Sequence, residues 1–213
     1  MAAHPDAQVL TYGEPLAQAQ AAMIMLHGRG ATAEDILSLA RFFEAAGVAY
    51  LAPQAANSTW YPYPFTAPME RNEPWLSSAL ARVDEIVSTV RDAGIAAERT
   101  YLLGFSQGAC LTLEYAARHA QRYGGVFGLS GGLIGPDGTP RDYPGSMNGS
   151  PVFLGCSDVD FHIAKERVVG AASVFRKLGA EVTMRLYPNM GHTVNDDEIQ
   201  FVRDLLHAAL RTS

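Results

Sequence analysis

The stretch Thr100-Tyr101-Leu102-Leu103-Gly104-Phe105-Ser106-Gln107-Gly108 decides the fold of this chain, together with the apolar pattern of residues 109–116 behind it. The part before Ser106 is a short apolar run, typical of a buried strand, and the part after it has helical spacing. Gly104 and Gly108 allow both elements to approach a serine held in a sharp turn. The pattern predicts a strand–turn–helix unit that lifts the Ser106 hydroxyl clear of a sheet.

The rest of the chain alternates between short β-type runs and longer helical patterns. The predicted strands are Val9–Thr11, Ala22–Leu26, Val48–Ala52, Thr100–Phe105, Gly125–Leu129, Val152–Cys156 and Glu181–Tyr187. Helices are predicted after Thr32, after Glu73-Pro74, over Gln107–His119 and Ile163–Leu178, and from Asn195 onward. Continuously apolar strands are expected where helices cover both faces of a parallel sheet. The sequence therefore predicts an α/β fold with about seven mostly parallel strands, one domain over residues 1–213 and no separate lid domain.

Composition and charge exclude several classes of function. The 213 residues are 48% hydrophobic and 18% charged, which is a globular balance, and 22 acidic against 16 basic residues give a net charge of -6. A negative surface disfavours nucleic acid and anionic lipid, and no apolar run is long enough to span a membrane. The start Met1–Asp6 has no leader-like pattern, and Cys110 and Cys156 are too few for a disulfide framework. We expect a cytoplasmic protein with reduced thiols.

A second serine competes with Ser106 for the nucleophile role. Gly128-Leu129-Ser130-Gly131-Gly132 matches the same G-x-S-x-G pattern. However, glycines and Pro136 follow Ser130 and cannot start a helix, whereas a nucleophile elbow needs a helix directly behind its serine. Ser106 is therefore the predicted nucleophile.

The base is expected to be His192. A serine hydroxyl near neutral pH needs an imidazole to accept its proton. Of the six histidines, His192 lies in Pro188-Asn189-Met190-Gly191-His192, between the last predicted strand and the last helix, and follows Ser106 in the order this fold uses. His4 is expected in a frayed terminus. The alternative for His192 is a cap of the last helix.

Two aspartates after the strand Val152–Cys156 compete for the acid that holds the imidazole. Asp158 comes first off the strand and is favoured, whereas Asp160 is interpreted as an N-cap for the helix from Ile163. A metal site built from these aspartates, His162 and His192 is the alternative, but its spacing matches no metal motif. We therefore predict no metal and no cofactor.

The remaining candidates form an oxyanion hole and a substrate pocket. The N–H of Gln107 and the N–H of Arg29, in the loop after Met23–Gly28, are the predicted oxyanion donors. The Arg29 side chain is expected to pair with Glu34 or Asp35, or to engage a substrate carboxylate. The aromatic, proline-rich loop 57–65 offers Trp60, Tyr63 and Phe65 as a substrate wall, unless these rings only cover the sheet edge. We expect a shallow, open site.

Four blocks of the chain resemble the carboxylesterase/phospholipase family of α/β-hydrolases, which includes the acyl-protein thioesterases. The blocks are Leu26-His27-Gly28, Gly104–Gly108, Gly155-Cys156-Ser157-Asp158 and Tyr187–His192. The resemblance implies the α/β-hydrolase fold, a triad of Ser106, Asp158 and His192, oxyanion donors at Arg29 and Gln107, no cofactor, and often a homodimer.

Two departures weaken any transfer of the thioesterases' specificity for lipidated proteins, and the second, in the aromatic loop, is closer to the bacterial esterases of this family. Arg29-Gly30-Ala31 replaces the Leu-Gly-Asp typical of the thioesterases, and the loop Trp60–Phe65 differs from their acyl-channel segment. The predicted function is a serine carboxylesterase acting on short- to medium-chain esters. A thioesterase or lysophospholipase with the same triad is the first alternative, and a non-catalytic ligand- or protein-binding relative is the second.

Overall fold

A seven-stranded sheet forms the centre of the computed structural model, which describes residue 4 and residues 8–211. The strands are β1 (Val9–Gly13), β2 (Ala21–Leu26), β3 (Val48–Pro53), β4 (Thr100–Phe105), β5 (Gly125–Leu129), β6 (Pro151–Ser157) and β7 (Glu181–Tyr187). Their order across the sheet is β1-β3-β2-β4-β5-β6-β7. Only the edge pair β1–β3 is antiparallel. The prediction of about seven mostly parallel strands is confirmed.

Helices cover both faces of the sheet. They are α1 (Ala33–Leu37), α2 (Ala40–Phe43), α3 (Trp75–Asp92), α4 (Gln107–Arg118), α5 (Lys165–Lys177) and α6 (Asp196–Arg211). Every residue of β2 is buried, and alternate residues face opposite sides: Ile24 belongs to the core cluster that contains residues of α3, α4 and α5, whereas Met23 belongs to the cluster that contains residues of α1, α2 and α6. This two-sided burial explains why the strands read as continuous apolar runs.

Side-chain caps define where two of the helices begin. Thr32 and Asp35 form a reciprocal capping box at α1. At α6, the Asn195 side chain accepts the N–H of Glu198, and Glu198 Oε2 accepts the N–H of Asn195. Glu198 is fully buried, its Oε1 has no partner among the described residues, and burial raises its pKa to about 7.

The N-terminal histidine differs from its prediction. His4 is buried, not frayed: its Nε2 lies 2.9 Å from the carbonyl oxygen of Trp60, and its Nδ1 accepts the N–H of Ala56. The other residues of Met1–Asp6 lie outside the described part of the chain, as do the outer limits of the predicted domain 1–213. Within the described residues, no helix is long and apolar enough to cross a bilayer.

Candidate active site

Ser106 occupies a strained turn between β4 and α4. Its φ of 55° and ψ of -118° lie outside the regions that L-residues usually adopt. The two flanking glycines are required by close packing, because a Cβ at Gly104 would collide with the carbonyl of Gly108, and one at Gly108 with the carbonyl of Leu26. The competing Ser130 is completely buried and no helix follows it, so its hydroxyl cannot reach a substrate.

His192 reaches Ser106 from the loop between β7 and α6. Its Nε2 lies 2.8 Å from Ser106 Oγ, and its Nδ1 lies 2.6 Å from Asp160 Oδ2. An ionised carboxylate can only accept, so Nδ1 carries the proton that is donated to Asp160. This tautomer leaves the lone pair of Nε2 free to accept the proton of the Ser106 hydroxyl.

The acid beside His192 is Asp160, and the prediction of Asp158 is wrong. Asp158 Oδ1 accepts the N–H of Asn189 on the loop beyond β7, and no hydrogen bond joins Asp158 to His192 among the described residues. The chain reverses after β6, with the N–H of Val159 donated to Ser157 Oγ, and this turn brings the residue two places further on to His192. Position at the strand end therefore does not decide which carboxylate points inward.

The carboxylate of Asp160 has two structural roles at once. Oδ2 binds His192, while Oδ1 accepts the N–H groups of His162 and Ile163, at 2.8 and 3.1 Å, ahead of α5. The expected N-cap role is wrong, because the N-cap of α5 is Ala164, without a side-chain cap, and Asp160 instead closes the turn ahead of the helix. Burial alone would raise the pKa of Asp160, but the bonds from His192 and the two N–H groups outweigh it and lower that pKa.

The peptide between Gly28 and Arg29 is fixed by a buried histidine. His27 Nε2 accepts the N–H of Ala55, so its Nδ1 carries the hydrogen and donates it to the carbonyl of Gly28, 2.7 Å away. Burial lowers the pKa of His27, which keeps the ring neutral. Because a trans peptide points its N–H opposite to its C=O, anchoring the Gly28 carbonyl also orients the Arg29 N–H.

A second N–H faces the same region from the start of α4. The side chain of Gln107 is held by the loop, accepting the N–H of Trp60 and donating to the carbonyl of Tyr61. The backbone N–H of Gln107 belongs to the first turn of α4, where helical N–H groups have no partner within the helix. Within residues 8–211, neither this N–H nor that of Arg29 donates to a protein acceptor.

The Arg29 side chain holds the aromatic loop rather than an acidic residue. Its guanidinium donates to the carbonyls of Tyr61, Pro62 and Tyr63 at 2.8, 3.0 and 3.1 Å. The expected pairing with Glu34 or Asp35 is therefore wrong. The Arg29 side chain instead fixes the wall that faces Ser106.

The three predicted substrate-binding aromatics have different environments. Phe65 lines the cleft beside Ser106, as expected. Trp60 is completely buried and donates its indole N–H to the carbonyl of His27, so it supports the loop after β2 from behind. Tyr63 lies at the surface under the guanidinium of Arg71, 4.2 Å from the ring centroid. The assignment of Trp60 and Tyr63 to the cleft is corrected, because the loop turns between these positions.

The cleft itself has a volume of about 460 Å³ and is open to solvent. Polar and apolar side chains line it together, and the lining residues are Arg29, Tyr61, Pro62, Pro64, Phe65, Ser106, Gln107, Cys110, His162, Ile163 and His192. The ring of His162 lies 4.8 Å from that of His192. The alternative metal site is not assembled, and no group of three or more His, Cys, Asp or Glu among the described residues is arranged to hold a metal ion.

Comparison with known proteins agrees with this geometry. The model of the phospholipase/carboxylesterase family matches residues 10–210, nearly the whole chain. The chain belongs to this family. The expected α/β-hydrolase fold and the expected carboxylic ester hydrolase are confirmed at this level.

Three known proteins illustrate how closely the chain resembles others. A phospholipase/carboxylesterase from Dyadobacter fermentans is 43% identical, with a TM-score of 0.92 over 97% of this chain and 99% of its own. A probable carboxylesterase SOBER1-like from Arabidopsis thaliana is 24% identical over 90% of this chain and 79% of its own length. Acyl-protein thioesterase 1 of Aspergillus fumigatus is 30% identical over 61% of this chain and 55% of its own length.

Several residues that line the cleft are not among the predicted site residues. Tyr61 and Pro64 lie in the loop that the aromatic residues indicate, so the sequence locates the loop without its orientation. Cys110 lies one helical turn after Ser106 and carries a usable signal, because residues four apart share a helix face. His162 and Ile163 depend on the turn after β6, for which the sequence gives no clear pattern.

Proposed function

We propose that the protein is a serine carboxylesterase that hydrolyses short- to medium-chain carboxylic esters through an acyl-enzyme intermediate. The observation that carries this proposal is the unbroken hydrogen-bond chain Ser106–His192–Asp160, with lengths of 2.8 and 2.6 Å. In this proposal Ser106 is the nucleophile, His192 is the general base and acid, and Asp160 orients the imidazole.

The first half of the reaction forms the acyl-enzyme. Ser106 Oγ bonds to the ester carbonyl carbon as its proton passes to His192 Nε2, and the carbonyl oxygen becomes an oxyanion between the N–H groups of Arg29 and Gln107. The carbon–oxygen bond to the alcohol then breaks, and His192 returns the proton to the departing oxygen.

The second half restores the free enzyme. Water loses a proton to His192 Nε2 as its oxygen attacks the acyl carbon, and Ser106 departs as the proton returns to its Oγ. No oxidant, reductant or metal enters this balance. The ionised Asp160 stabilises the imidazolium that forms in each half, because its charge lies against Nδ1.

The volume of the cleft, about 460 Å³, supports short and medium acyl groups as substrates. Phe65, Cys110 and Ile163 line it and are themselves buried, and no separate lid lies over it in the described chain. The names of relatives such as acyl-protein thioesterase 1 favour a second candidate, a thioesterase or lysophospholipase that uses the same residues on longer chains. The homodimer and the cytoplasmic location stay predictions.

Labelling with a fluorophosphonate tests the nucleophile. We expect one adduct on Ser106 in the wild-type protein and none in Ser106→Ala, whose kcat for p-nitrophenyl butyrate falls on the order of 10⁶-fold. Ser130→Ala is the matched control, because it alters the other G-x-S-x-G serine, and it should retain the label. A Ser106→Ala protein of near-normal rate would overturn the proposal.

The acyl range separates the two candidates. We expect kcat/KM for p-nitrophenyl esters to peak between acetate and octanoate and to fall for palmitate. A maximum at palmitate, or faster turnover of the matched thioester, would favour the second candidate.

A further inference from the structure

A second cavity adjoins the first at His192. It has a volume of about 350 Å³ and lies between α1, the start of α2 and the loop that carries His192. The apolar part of its lining is Ala31, Ile36, Leu39, Phe105 and Val194. His192 borders both cavities, whereas Ser106 borders only the larger one.

This arrangement distinguishes the two parts of an ester. The acyl group remains covalently attached to Ser106 after the first half-reaction, so it must occupy the cavity that contains Ser106. The alcohol departs when it receives the proton of His192, and it needs contact with His192 but not with Ser106 afterwards. The second cavity meets that requirement. We propose that it binds the alcohol part of the ester; this inference rests on the proposed function.

The lining indicates the chemical class of that alcohol. Leu39, Phe105 and Val194 are partly buried and contact the core under α1, α2 and α6, so they present a formed apolar surface. A compact hydrocarbon body would gain free energy by leaving water there. The alcohol is therefore expected to carry an aliphatic or aromatic body rather than to be methanol or ethanol.

Charge further restricts the alcohol. The carboxylate of Asp35 lies at the exposed rim, with Oδ2 accepting the N–H of Thr32. His27, which also lines this cavity, is kept neutral by its burial. The larger cleft instead carries the guanidinium of Arg29. A neutral or cationic alcohol suits the second cavity, and an anionic alcohol does not.

Four butyrate esters test the assignment in the wild-type enzyme. Ethyl, cyclohexyl, choline and glycolate butyrate share one acyl group, and their hydrolysis is followed in a pH-stat. We expect kcat/KM to be highest for the cyclohexyl and choline esters and lowest for the glycolate ester. Equal values for the ethyl and cyclohexyl esters, or a preference for glycolate, would overturn the proposal.

Substitutions at Leu39 test the cavity directly. Leu39→Trp fills it and should lower kcat/KM for cyclohexyl butyrate by about tenfold relative to the ethyl ester, whereas Leu39→Ala should enlarge it and shift the preference toward bulkier alcohols. Phe42→Trp is the control, because Phe42 lies on α2 with 59% exposure and outside the cavity.

Two further measurements separate an alcohol site from a general defect. The acyl-length profile of Leu39→Trp with ethyl esters should match the wild type, and so should deacylation of its butyryl-enzyme, because the alcohol has already left. In an active enzyme, a changed acyl-length profile or slower deacylation of Leu39→Trp would overturn the inference. An unchanged alcohol preference of Leu39→Ala would overturn it as well. An inactive, unlabelled wild-type protein would instead contradict the proposed function, and this inference with it.

Discussion

Replacement of Asp160 by asparagine is expected to disable the enzyme while leaving its fold intact. Oδ1 of Asp160 accepts two backbone N–H groups, from His162 and Ile163, and Oδ2 accepts only the Nδ1–H of His192. An asparagine side chain keeps its oxygen toward the two N–H groups and turns its NH₂ group toward His192. That amide donates, so Nδ1 must accept and the imidazole proton moves to Nε2.

The tautomer change gives the size of the effect. With hydrogen on Nε2, the imidazole cannot accept the Ser106 proton, and the stabilisation of the imidazolium by a buried carboxylate is lost as well. Loss of the corresponding carboxylate in a Ser-His-Asp triad lowers kcat on the order of 10⁴-fold, which corresponds to about 5.4 kcal/mol in the barrier. We expect this loss for Asp160→Asn, with KM changed little.

Asp158→Asn is the matched control for this experiment. The only hydrogen bond of the Asp158 side chain among the described residues is the one from the N–H of Asn189, which an amide oxygen can also accept. The kcat of Asp158→Asn should therefore stay within about threefold of the wild type. Both variants would be assayed with p-nitrophenyl butyrate, and their melting temperatures compared. If Asp158→Asn were the more damaging of the two, Asp160 would not be the residue that orients His192.

Three other predictions concern binding, pH dependence and thiol reactivity. Arg29→Ala removes three hydrogen bonds to the aromatic loop, so KM should rise more than kcat falls in steady-state kinetics. The free energy of unfolding, measured by urea titration, should drop by about 1 kcal/mol. Arg29→Lys should recover part of the KM and part of the stability. Burial raises the pKa of Glu198 to about 7, so the folded protein holds this proton more tightly than the unfolded chain. As pH rises from about 4.5 to 7, the free energy of unfolding of the wild type should therefore fall by about 3 kcal/mol relative to that of Glu198→Gln. Parallel curves of stability against pH for the two proteins would contradict the reasoning. Burial also raises the pKa of Cys110 and Cys156 to about 12, so iodoacetamide at pH 8 should leave both unmodified in the native protein and modify both in urea, as mass spectrometry will report.

Local patterns predict the fold and the hydrogen-bonded pair Ser106 and His192. The elbow at Ser106 combines a buried strand, two glycines and a helix within a few residues, and each of these is visible in the sequence. His192 follows from the chain order and from its position after the last strand. These inferences need little knowledge of tertiary structure, because the parallel sheet brings the ends of its strands to one edge.

Side-chain direction in loops cannot be predicted in the same way. Choosing between Asp158 and Asp160 depends on a three-residue turn whose direction is fixed by contacts with Asn189 and His192, more than 30 residues further on. The prediction for Trp60 is wrong because its partner, the carbonyl of His27, lies on another segment. Aromatic composition locates such a loop but does not show which ring faces inward.

The way position 29 is used has a consequence for how enzymes of this type can diversify. In the proposed mechanism, charge stabilisation there needs only a main-chain amide, whose direction is set by the ring of His27 through the preceding carbonyl. The side chain at that position is consequently not needed for the reaction, and in this protein the Arg29 guanidinium binds the aromatic loop. Exchanging that single side chain can remodel what the enzyme accepts while its chemical machinery is left untouched.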